Sequence, residues 1–393
     1  MNAARANLGT QPMLTLGIAV LLYAFSIILI DIAPFFIGMY VDHLGLSLSE
    51  AGVVQTVDQA GGVLGAVAGF VLMPKLAWRT LLVVASVIAT IANVLTGFVD
   101  SFVMLMIIRF LSGFGVLLIT TVTACILARA LVPDRAFGIG LAVAMALSAV
   151  AVIMLDWLRI EYGYAASLGS GAIWLGAGIF LCFLLPGALG HVDGAPQEEG
   201  AAPENAAMRT MGITALIALG LFGLSVNVVY AYIERVGIAN GLDSSSVAAA
   251  LALGYVFATA GGLIPTIFGA AGGRLKWIIL TTLVFFASLY VLYTANTVAL
   301  YTLAYAIYAS VWNMGLAYYM SLTVENDPAG HYTRSMYIVN VAAQSIGPAI
   351  AAMILTGAPL GMIFIVAPLP ALLAAGMVIV MAARARKRLV HAG

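Results

Sequence analysis

Long apolar segments separated by short polar connections run along most of the chain. A helix needs about 20 apolar residues to cross the hydrocarbon core of a bilayer, and twelve segments meet that length. The pattern therefore predicts twelve transmembrane helices, called spans one to twelve below. They are predicted at residues 13–38, 49–73, 80–99, 101–127, 136–157, 165–189, 210–233, 245–269, 277–296, 298–322, 334–356 and 361–383. Because the connections are short, neighbouring spans are expected to run antiparallel.

The composition supports a membrane protein and excludes several other classes. Hydrophobic residues make up 63% of the 393 residues and charged residues 8%, whereas soluble proteins carry about 25% charged residues. The zero net charge argues against a nucleic-acid partner. The two cysteines lie inside apolar runs and have no metal-ligand spacing, so we expect no metal and no cofactor. Nucleophile-elbow and phosphate-loop motifs are absent, which disfavours an enzyme. A soluble signalling domain is also absent, which disfavours a receptor.

The basic residues predict the orientation of the chain. Twelve spans place both termini on one side of the membrane, and thirteen of the 16 Lys and Arg residues fall on that side. They are Arg5, Lys75, Arg79, Arg129, Arg135, Arg209, Arg274, Lys276, Arg334, Arg384, Arg386, Lys387 and Arg388. Only Arg159 and Arg235 fall on the other side, and Arg109 lies within a span. Basic residues concentrate in cytoplasmic loops, so we expect a multi-pass protein of the cell inner membrane with both termini in the cytoplasm.

The chain divides into two halves that resemble each other. Residues 190–208 form a polar stretch rich in Pro, Glu and Ala, which predicts a cytoplasmic linker between six-helix bundles at 1–189 and 209–393. Four short matches recur in order at offsets of 196 to 200 positions. They are Gly45-Leu46-Ser47 with Gly241-Leu242-Asp243, Gly61-Gly62 with Gly261-Gly262, Trp78-Arg79 with Lys276-Trp277, and Phe114-Gly115 with Met314-Gly315. Repeated halves are typical of secondary transporters, whose substrate site lies where the halves meet.

Two motifs resemble those of the major facilitator superfamily. Arg109-Phe-Leu-Ser-Gly113-Phe-Gly115 in span four matches its Arg-x-x-x-Gly-x-Gly pattern. The loop after span two, from Gly69 to Arg79, keeps the glycine and basic residues of a second motif, but Met73 stands where that motif has Asp. The span-five motif of drug antiporters is absent. The resemblance implies a secondary transporter, with spans one, four, seven and ten lining the cavity.

Charged residues inside the predicted spans are the first candidates for function, because an intramembrane charge is costly. Asp31 in span one, Asp58 in span two and Arg109 in span four lie roughly 10–14 Å below the outer surface at 1.5 Å per residue. Their equal depth predicts one cluster, in which two acids surround Arg109. Two interpretations stay open: a structural ion pair, or a proton-coupling site in which Asp31 or Asp58 carries the proton and Arg109 tunes it or binds an anionic solute.

Neutral polar residues complete the predicted site. Those expected to contact substrate, together with Arg109, are Gln55, Gln59, Asn227, Tyr230, Asn313, Asn340 and Gln344. Each also fits simple interhelical hydrogen bonding. Small residues at four-residue spacing, Gly61, Gly65 and Gly69 in span two and Ala258 and Gly262 in span eight, are expected to serve close helix packing only.

The specific hypothesis is a monomeric, proton-coupled symporter of an organic anion that works by alternating access. The alternative is proton-coupled efflux of an apolar or cationic compound. Both make protons, a small solute and the lipid bilayer the partners of the chain.

Overall fold

The computed structural model describes residues 12–130, 133–186, 206–269, 271–327, 332 and 335–392. Regular structure in these ranges is helical, which confirms the all-α prediction. Contacts divide the chain into an N-terminal unit, Met1–Gln197, and a C-terminal unit, Glu198–Gly393. Residues 190–205 of the predicted linker lie outside the described residues, so its bounds stay a prediction. Ala206 already begins a helix.

Six predicted spans account for the helices of the N-terminal unit. Spans one and six each consist of two helices in succession, and the others are single helices. The bounds are Pro12–Asp31 and Ala33–Leu44 for span one, Leu48–Leu72, Trp78–Thr96, Phe102–Leu127 and Pro133–Tyr162 for spans two to five, and Tyr164–Gly169 and Gly171–Leu184 for span six.

The C-terminal unit repeats this arrangement, with spans seven and twelve each divided in two. The bounds are Ala206–Tyr230 and Ile233–Ala239, Ser244–Phe268, Arg274–Thr294, Val298–Glu325, Met336–Leu355, and Met362–Val366 and Pro368–Ala392. Ten helical segments of the described chain are long and apolar enough to cross a membrane. Leu48–Leu72 and Val298–Glu325, with 25 and 28 residues, are also long enough but more polar. Together they give the twelve predicted spans.

Spans one and seven break at equivalent positions. The first helix of span one ends at Asp31, and Pro34 lies in the first turn of the next helix, a place where proline costs no hydrogen bond. The first helix of span seven ends at Tyr230, 199 positions after Asp31. Asp31 and Tyr230 therefore occupy matching ends of interrupted helices. Transporters commonly place binding groups at such interruptions.

Glycines let spans two and four approach until their backbones touch. A Cβ atom at Gly61 would overlap the Phe110 carbonyl oxygen, one at Gly65 the Phe114 carbonyl oxygen, and one at Gly113 the Asp58 carbonyl oxygen. The predicted packing role of Gly61 and Gly65 is confirmed. The approach also brings the turn that carries Asp58 against the turn that follows Arg109.

In the C-terminal unit, the corresponding close approach involves Gly261, where a Cβ would overlap the Ser310 carbonyl. The prediction that Gly262 packs closely is wrong, because a Cβ there would meet nothing within 4 Å. Four-residue spacing identifies a face of span eight, but the face that meets span ten is rotated by one residue.

Candidate functional site

An ion pair between spans two and four is the centre of the candidate site in the N-terminal unit. Arg109 Nη2 lies 3.0 Å from Asp58 Oδ1, and the two side chains are 2% and 9% exposed. The close approach of spans two and four at the glycines described above brings the turns that carry these two residues together. A buried charge needs a partner of opposite sign at close range, and each of these two residues supplies it for the other.

Two further side chains fix the guanidinium of Arg109. Its Nη1 donates a hydrogen bond of 3.2 Å to Asn93 Oδ1 on span three, and the Phe36 ring of span one lies 4.9 Å from its central carbon. Asn93 is held in turn, because its amide nitrogen donates to Ser112 Oγ at 2.9 Å and to the Ala89 carbonyl at 2.8 Å. Arg109 thus receives an acid, an amide and an aromatic face from three different spans.

Asp31 has a different partner from the one that the sequence predicts. Ser148 Oγ on span five donates a hydrogen bond of 2.6 Å to Asp31 Oδ2, and Asp31 is 8% exposed. Among the contacts that the structure describes for Arg109, none is an ion pair with Asp31. The structure thus pairs Asp58 with Arg109 as the sequence predicts, whereas the hydrogen-bond partner described for Asp31 is Ser148 on span five.

The two glutamines of span two lie beside this pair. Gln55 and Gln59 are both buried, on the same helix as Asp58 and within one turn of it. The Gln59 Oε1 atom is buried and has no hydrogen-bond partner among the described residues. A buried acceptor without a partner is costly, so Gln59 is a good candidate for contact with water or a polar ligand.

The polar residues predicted in the C-terminal unit fall into two groups. Asn227 donates to the Gly223 carbonyl of its own helix at 2.8 Å, and Asn313 donates to the Ala258 carbonyl of span eight at 3.2 Å. These bonds to backbone carbonyls stabilise helices and helix contacts. Asn340 and Gln344 on span eleven are half-buried, and Gln344 Oε1 has no described hydrogen-bond partner.

Tyr230 belongs to a cluster of aromatic residues. Its hydroxyl lies 3.1 Å from the Tyr255 hydroxyl, and its ring meets the Trp312 ring edge-on with centroids 4.9 Å apart. The Tyr255 ring in turn meets the Tyr305 ring edge-on, with centroids 6.3 Å apart. We call Tyr230, Tyr255, Tyr305 and Trp312 the aromatic cluster. It brings together spans seven, eight and ten of the C-terminal unit.

A second buried ion pair was not predicted as part of the site. Arg235 Nε and Nη2 donate to the two carboxylate oxygens of Glu234 at 2.6 and 3.0 Å, and both residues are buried. The basic-residue pattern of the sequence places Arg235 beyond span seven, on its outer side. The short helix Ile233–Ala239 instead folds both residues of the pair into the protein.

The sequence model described as Major Facilitator Superfamily matches residues 15–352 of the chain. The chain belongs to this superfamily. It is therefore a membrane transporter and not an enzyme, as the sequence predicts. No sequence among the curated proteins matches the chain.

Solved structures of other transporters share the superfamily fold. A bacterial homolog of the human lysosomal transporter Spinster is 13% identical, covers 95% of this chain and 98% of its own, and has a TM-score of 0.67. The nucleoside transporter NupG is 12% identical over 94% and 99%, with a TM-score of 0.73. A D-xylose–proton symporter is 16% identical over 92% and 94%, with a TM-score of 0.68. At these identities the likeness shows the fold alone.

Aromatic contacts lie beside the loop after span two, whose sequence departs from the superfamily motif at Met73. Met73, in the place of the motif's Asp, is buried. The Arg129 guanidinium at the end of span four lies 4.2 Å from the Trp78 ring centroid. In the C-terminal unit, Trp277 stacks on Tyr318 at 5.6 Å. A tryptophan at the start of the third span of each half thus anchors the end of the fourth.

Proposed function

We propose that the chain is a proton-coupled transporter of a small organic solute and that Asp31 takes up and releases the proton. The hydrogen bond of 2.6 Å from Ser148 Oγ to the buried Asp31 carboxylate carries this proposal. A hydroxyl donates to a carboxylate and accepts from a protonated acid, so this partner suits both states of a proton carrier. An acid in a membrane span is a functional candidate by default.

Asp58 and Arg109 have a different role in this proposal. Each of these two charges is compensated by the other at 3.0 Å, so the pair serves solute binding in this proposal and Asp31 alone carries the proton. In symport of an organic anion, a solute carboxylate replaces Asp58 at the planar guanidinium, whose geometry suits two parallel hydrogen bonds. Arg109 is 1% exposed, so this exchange requires spans two and four to separate locally. Gln59, with its unpaired acceptor atom, is the adjacent polar contact.

The alternative, efflux of an apolar or cationic compound, is supported by the aromatic cluster. Aromatic faces attract cations and apolar groups, and Tyr230, Tyr255 and Trp312 present three such rings in one place. The names of the similar structures, which include a sugar–proton symporter and a nucleoside transporter, support a polar organic solute instead. We therefore keep symport as the main proposal, in the inner membrane, with cytoplasmic termini and a monomeric chain.

The test uses proteoliposomes that contain a pH-sensitive dye, to which organic acids, sugars, nucleosides or lipophilic cations are added from outside. A symporter acidifies the lumen when its solute enters, and an antiporter makes the lumen alkaline. Protein-free liposomes measure the passive entry of weak acids. Entry of a solute through the protein without any change in luminal pH contradicts proton coupling.

A further inference from the structure

A groove of about 670 Å³ lies between spans seven and twelve of the C-terminal unit. Residues of both spans line it, among them Thr210, Leu372, Leu373, Gly376, Val380 and Arg384. None of the residues of the ion pairs or the aromatic cluster lines the groove, and the proposed transport cycle does not use it.

The groove is apolar over a length that matches one leaflet of a bilayer. Along span twelve it runs from Leu372 to Arg384, twelve residues or about 18 Å at 1.5 Å per residue. One leaflet contributes about half of the roughly 30 Å hydrocarbon core. The middle of the groove is open at Gly376, because a Cβ there would meet nothing within 4 Å. Leu373 and Val380 beside it are 61% and 49% exposed.

One end of the groove is polar and positively charged. Arg384 and Thr210 lie at this end, and Arg209 precedes Thr210 at the start of span seven; all three are exposed. Arg384 carries the one charge among the described residues that line the groove. The sequence continues with Arg386, Lys387 and Arg388. The apolar length and the basic end together have the polarity of a phospholipid.

We propose that this groove binds one anionic glycerophospholipid from the cytoplasmic leaflet, with an acyl chain along span twelve and the phosphate at Arg384. Charge complementarity supports this occupant, since clustered basic residues at the cytoplasmic end of a span attract anionic headgroups. A soluble anion makes no use of the apolar length, and an apolar helix makes no use of Arg384. The choice of leaflet rests on the proposed orientation, whereas binding itself does not.

Native mass spectrometry of the purified full-length chain in detergent tests this. Phosphatidylglycerol and phosphatidylcholine with identical acyl chains are added at equal concentration. We expect phosphatidylglycerol to be retained preferentially. Arg384→Gln is expected to lower its apparent affinity about fivefold, the effect of one basic residue near a membrane surface. Lys75→Gln removes an exposed charge of the N-terminal unit that the sequence predicts on the same side of the membrane, and it serves as the matched control that keeps full affinity.

The apolar part is tested by filling the groove. Gly376→Phe is expected to reduce retention of both lipids, and Val380→Trp does the same from an exposed position if the first variant fails to fold. Equal retention of the two lipids by the unmodified chain overturns the proposal, as does an equal loss in Lys75→Gln and Arg384→Gln. Competition with inorganic phosphate separates the two sources of a phosphate group. If phosphate at millimolar concentration displaces the lipid, the site binds free anions and the proposal is wrong.

Discussion

Arg109 on span four and Asp58 on span two form an ion pair of 3.0 Å with almost no exposure to solvent. Removing one partner of a buried pair leaves an uncompensated charge, which costs about 3–5 kcal/mol. Removing both leaves no such charge. The pair is therefore expected to show strong energetic coupling between its two members.

Asp58→Asn and Arg109→Gln are each expected to destabilise the protein by about 3–5 kcal/mol, and the double variant by less than the sum. Thermal unfolding in detergent measures this. Arg159→Gln is the control, because the Arg159–Asp156 pair is partly exposed and its loss is expected to cost at most about 1 kcal/mol. Additive effects of the two single variants would show that the pair is not coupled.

Close packing of spans two and four is expected to depend on Gly113. Gly113→Ala places a Cβ on the Asp58 carbonyl oxygen, and overpacking of this kind costs about 1–3 kcal/mol. Gly262→Ala, which has open space around it, is expected to be neutral or slightly stabilising because alanine favours helix. Thermal unfolding of the two variants compares them. Equal behaviour would mean that the helices do not touch at Gly113.

Asn93 is expected to hold Arg109 in place without contacting the solute. Asn93→Leu keeps the size of the side chain but removes the hydrogen bond to the guanidinium, at a cost of about 1.5–3 kcal/mol for a bond to a charged group. Arg109→Lys is also expected to lower the stability, since lysine lacks the planar fork that reaches Asn93 and Asp58 at once. Ser86→Ala is the control, because Ser86 lies on the same helix but its hydroxyl forms a hydrogen bond with the Cys182 thiol. A smaller loss in Asn93→Leu than in Ser86→Ala contradicts this role.

The orientation is tested by cysteine labelling of intact cells in a background without Cys125 and Cys182. Gly194→Cys lies in the predicted cytoplasmic linker and is expected to react only after permeabilisation. Ser101→Cys, exposed between spans three and four, is expected to react from outside. The reverse pattern would place the termini outside the cell and would also move the proposed lipid groove to the other leaflet.

The spans, the fold class and the Asp58–Arg109 contact could be predicted from the sequence because each depends on a strong signal. Hydropathy identifies a span whatever its neighbours are. Two opposite charges in neighbouring spans have few ways to be compensated except by each other. The glycines at four-residue spacing then indicate which helix faces approach.

The partner of Asp31 could not be predicted, because depth in the membrane says nothing about rotation around the helix axis. A helix turns by about 100° per residue, so two residues at one depth can face different neighbours. Ser148, Asn93 and Phe36 were missed for a related reason. Neutral and aromatic residues are common in membrane spans, and only their contacts distinguish them. Pro34 indicates that span one is interrupted, but it does not indicate that the first helix ends at Asp31.

The central claim of the proposed function is that the carboxyl group of Asp31 carries the proton. Asp31→Asn imitates the protonated acid permanently with little change in shape. We expect it to abolish proton movement while leaving exchange of solute down its own gradient. Ser148→Ala is expected to keep proton movement but to alter its dependence on pH, because the hydroxyl bonds the carboxylate directly.

The most direct test is therefore luminal pH in proteoliposomes that contain Asp31→Asn, measured as a transported solute enters down its gradient. The same reconstituted protein is checked for solute exchange, so that a folding defect is recognised. The account predicts that solute enters and the luminal pH stays constant, whereas the unmodified chain acidifies the lumen. If Asp31→Asn acidifies the lumen as much as the unmodified chain for the same solute uptake, then Asp31 is not the proton carrier.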